Sequence, residues 1–168
     1  MTGEEWVAMT QPRMSADPRD RMGVYKHIAQ VPDRHRLSSY AAEYEGRDVW
    51  AEYVSDEIPD DRSERFIEDT ERIERRWKSH MDGRGRHHAL ATPADVEQWA
   101  AWLVDEFSLG HAYDPYWCRL EEFYTYLQWH TDHPHVYNPA LMAAAEYPAA
   151  GRIWDEKTRA LKWVVSNE

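Results

Sequence analysis

The 168-residue chain has a single cysteine, Cys118. No disulfide can form within it, and a zinc site would have to rely on histidine and carboxylate. No apolar run approaches the roughly 18–20 residues that a membrane span needs. The opening stretch, MTGEEWVAMTQPRMSADPRDRM, has neither a basic nor an apolar segment, so no secretory signal is read there and the expected compartment is the cytoplasm. Catalytic signatures are missing as well: no G-x-S-x-G, no phosphate-binding glycine loop, no G-x-G-x-x-G and no H-E-x-x-H. Lysine is scarce, with Lys26, Lys78, Lys157 and Lys162 set against sixteen arginines. These absences predict a protein that is not an enzyme and holds neither cofactor nor metal.

What is present is ample apolar surface and much negative charge. Hydrophobic residues make up 42% of the chain and include nine Trp and ten Tyr, enough to build the core of one domain without staples. The formal net charge is −11. Together with the lysine depletion, this favours, over the alternative of an ordinary acidic protein that avoids nucleic acid, a protein working in molar salt, as in a halophilic archaeon or its virus. There the Debye length falls to roughly 3 Å and self-repulsion costs little. Against such a background, a local departure from the acidic average says more than the average itself.

Residues 1–36 read as an extended or disordered segment, because Pro12, Pro18 and Pro32 interrupt it and no helical period emerges. Residues 37–168 read as a single helical domain. Tyr40, Ala41, Tyr44, Val49, Trp50, Tyr53 and Val54 recur at three- and four-residue spacing, marking one helix or two joined near Gly46. Phe66, Thr70, Ile73 and Trp77 share a face of a helix from Arg62 to about Asp82, which Gly83 and Gly85 stop. Thr92, Pro93 and Asp95 open another helix, with Val96, Trp99 or Ala100, Leu103 and Phe107 facing inward. A helix over 115–131 carries Tyr116, Leu120, Phe123 and Leu127. Asn138-Pro139 starts a short one through Ala145, and a last follows Pro148 with Ile153, Trp154, Leu161 and Trp163. No alternating pattern long enough for a sheet occurs. The expected class is all-α, a compact bundle of five to seven short helices.

The chemistry-bearing feature is local charge. Between Arg72 and His88, in RIERRWKSHMDGRGRHH, five arginines and Lys78 face two carboxylates, Glu74 and Asp82. Arg65, Arg72 and Arg76 are seven and four residues apart and form a stripe beside the core face. Arg84, Arg86, His87 and His88 extend it into a flexible glycine-containing loop. Guanidinium forks and loop N–H groups are what phosphate contacts require. The competing reading is a solvated helix face whose arginines pair with acidic neighbours such as Glu68 and Glu71. A second cluster, His130, Asp132, His133 and His135 in WHTDHPHVY, has donors for a metal, but no helical pair sets a geometry and the favoured account is a polar turn held by Pro134. Cys118, beside Trp117 in a helix, reads as buried and inert.

The run TPADVEQWAAWL (92–103) followed by RLEEFYTYLQWHTDHPHVYNPAL (119–141) resembles the SAM-like core-binding domain of tyrosine recombinases and phage integrases. Thr92, Asp95, Val96 and Trp99 match the opening helix of that pattern, Phe123, Tyr124, Tyr126 and Leu127 the next, and Asn138-Pro139 the following segment. The helix with Phe66, Ile73 and Trp77 stands where the family's first core-binding helix would, so the resemblance covers 62–145. It implies a helical domain that clamps duplex DNA through backbone contacts. Strand cleavage is not implied: none of the nine His is followed three positions later by Arg, and 23 residues follow Ala145. The Tyr113–Trp117 stretch departs from the family's small-residue turn.

The expected function is thus a stand-alone DNA-binding module, an accessory factor or remnant of a mobile-element recombinase. Its phosphate contacts would be Arg65, Arg72, Arg75, Arg76, Lys78, Arg84 and Arg86, assisted by His87, His88 and Arg119. The alternative is a protein-interaction module that keeps the fold without DNA, with the recombinase or a second copy as partner.

Overall fold

Three helix starts are set by side chains that stand in for missing backbone partners. Ser63 Oγ accepts the Phe66 N–H, and Asn138 Oδ1 accepts the Ala140 and Leu141 N–H groups. Thr92 and Asp95 make a reciprocal capping box, with Pro93 supplying the φ that the first turn needs. A computed structural model describes residues 15–166, with side chains described through Arg159. Its helices are α1 (Ala41–Tyr44), α2 (Val49–Glu57), α3 (Glu64–Gly83), α4 (Pro93–Glu106), α5 (Cys118–Trp129), α6 (Pro139–Glu146) and α7 (Pro148–Ser166). No strand occurs among the described residues, so the chain is all-α. None of these helices is long and apolar enough to cross a membrane.

The core is aromatic. Trp50, Trp77, Trp99, Trp117 and Trp154 are buried together with Tyr44, Tyr53, Tyr116, Phe123, Tyr124 and Tyr137. α3 buries Thr70, Ile73, Trp77 and Met81 along the expected stripe. Phe66, expected on that stripe, is only half-buried, with the Arg62 and Arg119 guanidinium groups over its ring. α4 buries Val96, Trp99, Ala100 and Leu103 and packs with α6 and α7. Glu97 on α4 accepts the Ala149 and Ala150 N–H groups at 3.0 and 2.8 Å, capping the first turn of α7 from a neighbouring helix. Gly46 separates α1 from α2 at φ +78°, a conformation that a side chain would strain.

One expectation needs correction. Within 1–36, residues 15–36 are neither extended nor disordered: 3₁₀ turns at Pro18–Arg21, Ile28–Gln30 and Asp33–His35 fold them onto the helices. Met22 and Val31 enter the core, and Trp154 Nε1 donates to Ala16 O at 2.7 Å. Short 3₁₀ turns have no amphipathic period, which is why no pattern announced them. Residues 1–14 lie outside the described residues. The helix expected over 115–131 is present: Asp114 is extended and kinks the chain after the short helix at Leu109–His111, and helical backbone then runs from Pro115 into α5. Leu161 and Trp163 lie beyond the described side chains.

Candidate nucleic-acid interface

α3 presents its cations in a strongly mixed field. It carries five basic side chains, from Arg65 to Lys78, among Glu64, Glu68, Asp69, Glu71, Glu74 and Asp82. Arg72 Nη1 meets Asp69 Oδ1 at 2.9 Å. Lys78 Nζ bridges Glu74 and Asp48, the latter at 2.9 Å. Burial opposes the Lys78 charge, but its two carboxylate partners outweigh this and hold its pKa above the ordinary lysine value. Arg119 pairs with Glu122 at 2.9 Å and lies over Phe66.

The loop after α3 is pinned rather than flexible. Gly85, at φ +70°, closes the helix while Arg86 N–H returns to Met81 O. Arg84 and Arg86 then turn inward and both bind Asp95, a carboxylate with no solvent exposure. Burial works against the Asp95 charge, yet the Thr92 N–H and Arg84 overcome it and keep the carboxyl below its usual range. Ala89, Leu90 and Ala91 follow as core residues. The Trp77 indole N–H and the Tyr124 hydroxyl both donate to His88 O, each at 2.8 Å, and Tyr124 accepts the Ala91 N–H at 3.0 Å.

His87 and His88 are corrected most clearly. His88 is buried, accepts the Trp50 N–H at Nε2, and has its pKa pushed down to about 3 by burial. His87 stacks on it at 4.1 Å, donates from Nε2 to Arg47 O, and is also lowered, by burial, which outweighs that hydrogen bond. Both rings are neutral at neutral pH, so neither adds positive charge for a phosphate.

Three of the eight expected Arg and Lys side chains hold no carboxylate among the described residues. Arg65 and Arg75 are exposed and form no ion pair there. Arg76 donates to the Tyr116 hydroxyl, with its guanidinium 5.6 Å from the ring centres of Trp102 and Tyr116. Arg75 and Arg76 line a groove of about 380 Å³ between α3 and α4, together with Ser79, His80, Trp99 and Trp102. No acidic side chain is among these lining residues. Trp99 is 1% exposed and its indole N–H has no acceptor among the described residues, while Trp102 is 38% exposed. His80 donates from Nε2 to Asp95 O, and burial depresses its pKa.

Ser79, His80, Trp99 and Trp102 were not among the expected contacts, although one signal for them exists. Trp102 sits three residues after Trp99 but off the stripe of Val96, Trp99 and Leu103, and an aromatic side chain off the core stripe faces outward.

The histidines of WHTDHPHVY are occupied elsewhere. His135 Nε2 donates to Ala89 O at 2.7 Å, His133 Nδ1 is 2.6 Å from the Tyr44 hydroxyl, and His130 lies 3.7 Å from Asp56. Among the described residues no three His, Cys, Asp or Glu side chains converge as a metal site. Cys118 is half-buried and burial pushes its thiol up to about 11, so it is not a thiolate at neutral pH.

Comparison with known proteins found no match to a family model, a curated protein or a solved structure. The likeness to recombinase core-binding domains therefore rests on the order of the motifs alone.

Proposed function

We propose that this chain is a DNA-binding module with a SAM-like arrangement of helices, and that it meets phosphates through α3 rather than through all ten expected side chains. One observation carries the reading: in a chain of net charge −11, the groove between α3 and α4 is lined by two arginines, a serine and a histidine with no carboxylate among them. Arg65 and Arg75 supply exposed guanidinium groups on the same helix. Arg72 joins them at modest cost, because its half-buried pair with Asp69 lies within one helical turn, where such pairs contribute about 0.2–0.5 kcal/mol. Arg84 and Arg86 are excluded from the contact set, since releasing them would strand the buried Asp95 charge. Lys78, Arg119, His87 and His88 are excluded by their partners or their neutrality.

The test is duplex binding by fluorescence anisotropy over a KCl series, comparing the natural protein with Arg65→Glu/Arg75→Glu and with Arg152→Glu on α7 as a control. The double reversal lowers affinity roughly tenfold or more, and the dependence of log K on log salt flattens by about 0.9 for each phosphate that is no longer neutralised. Equal binding by all three proteins refutes the proposal.

A second reading, a module that binds a partner protein, is favoured by Trp129. Its ring is 78% exposed beside Glu57, Glu121 and Glu122 in a cleft of about 460 Å³ between α2 and α5. An indole among carboxylates suits a cationic side chain of a partner. Retention of a protein partner that Trp129→Ser abolishes, in the absence of nucleic acid, would support this reading over the first.

A further inference from the structure

The groove between α3 and α4 combines four features, three of which plain backbone contact does not need. Trp102 presents an aromatic surface at its rim, held upright by edge contacts to Phe107 and Tyr116. Arg76 is exposed, but the Tyr116 hydroxyl and the Trp102, Phe107 and Tyr116 rings hold its guanidinium at the groove. Trp99 lines the groove with a buried indole N–H that finds no acceptor among the described residues, an uncommon arrangement that an incoming acceptor would relieve. His80 adds an acceptor: with Nε2–H given to Asp95 O and the ring neutral, Nδ1 carries a lone pair. A space of about 380 Å³ is at the lower end for a small-molecule pocket and suits one planar ring with its attached anion.

Continuous duplex DNA offers phosphates but keeps its base faces stacked, so Trp102, the Trp99 N–H and the His80 acceptor would go unused against it. An unpaired nucleotide uses all of them. We infer that this groove receives one unstacked nucleotide, its base on Trp102 and its phosphate between Arg75, Arg76 and Ser79, so that the chain prefers a strand with an extrahelical base to an unbroken duplex. This rests on the nucleic-acid reading above and adds to it a class of ligand. No bond is made or broken, and the groove works as a reader.

The experiment uses three matched DNA probes with the whole chain: an unbroken duplex, the same duplex with one bulged nucleotide, and the same bulge without its base. Stacking on a single aromatic ring is worth on the order of tenfold in affinity. The bulged probe should therefore bind roughly tenfold more tightly than both others, with quenching of tryptophan fluorescence. Trp102→Leu should erase that preference, bringing the bulged probe to the affinity of the unbroken duplex, whereas Trp102→Phe should keep most of it. Arg75→Gln should weaken all three probes alike. Equal affinity for the three probes overturns the inference and leaves the DNA-binding reading standing. A bulge preference that survives Trp102→Leu also overturns it, because the base then sits elsewhere. Failure to bind any probe overturns both.

Discussion

Asp95 is the single side chain on which the most local structure depends, and its removal can be worked through quantitatively. Its carboxylate has no solvent exposure and accepts from Arg84, from Arg86 at 2.7 Å and from the Thr92 N–H at 2.8 Å. Asp95→Ala removes half of the α4 capping box, a loss of about 1 kcal/mol. It also deprives two guanidinium groups of their anion. Breaking a buried pair by deleting one partner costs about 3–5 kcal/mol when the survivor stays buried. Here the survivors are 33% and 38% exposed and regain water, so the total should lie near the bottom of that range, about 3 kcal/mol. For a domain of this length about 2–4 °C is lost per kcal/mol, so thermal unfolding followed by circular dichroism should move down by about 6–12 °C. Asp95→Asn keeps an acceptor for the Thr92 N–H and should lose about half as much. Folded Asp95→Asn protein should also bind duplex more tightly than the natural chain, since Arg84 and Arg86 lose their internal counter-charge. A fall below about 2 °C for Asp95→Ala would refute the claim that this carboxylate organises the loop after α3.

Acid should weaken the fold in two windows. His88 and His135 are held neutral in the folded state, with values near 3 and 4, against about 6.5 unfolded, so the native state binds fewer protons. Their full contribution is present above pH about 6.5 and declines by about 1.4 kcal/mol per pH unit per ring as pH falls toward the folded values. Denaturant titrations at stepped pH should show this slope; a flat profile between pH about 6.5 and about 5 would contradict the burial of these rings. The Asp95 contribution, from a depressed carboxyl, persists down to about pH 4 and fades below it, so the gap between the natural protein and Asp95→Ala should close only there. Tyr124→Phe deletes the hydroxyl that serves His88 O and the Ala91 N–H in a fully buried position, and should cost about 1–3 kcal/mol by denaturant titration. Glu97→Ala removes the acceptor for two N–H groups of α7, and amide exchange at Ala149 and Ala150 should accelerate before any other part of α7.

How much of the candidate site could be read in advance depended on the range of the interaction. The Arg72–Asp69 pair lies within one turn of α3, where the competing reading of a helix face expects Glu68 and Glu71 as the acidic partners instead. Glu74 likewise pairs with Lys78 at helical spacing, but the other partners of the cationic run come from elsewhere: Asp48 precedes α2, Asp95 opens α4, and Tyr116 lies just before α5. No periodicity within Arg72–His88 points to them. The same holds for His88, whose place in a polar run looked exposed. The segment that follows it, Ala89–Ala91, is apolar and draws the chain into the core, where the Trp77 and Tyr124 donors meet His88 O.

Helix identity in this chain is a local matter, and its amino-acid order alone determined it: Ser63, Thr92 and Asn138 cap, Pro93 and Pro139 preset the first turn, Gly46 and Gly85 take the left-handed backbone that ends a helix, and stripes such as Thr70, Ile73, Trp77 and Met81 mark the inward face. Which charges stay available was decided only by the tertiary structure. A guanidinium reaches several ångströms in any direction, so its partner is whichever carboxylate or hydroxyl the packed helices bring near, however distant in the chain. That packing consumes Lys78, Arg84, Arg86 and Arg119, leaves Arg65 and Arg75 exposed to solvent, and sets Arg76 beside Trp102 in a groove without carboxylates.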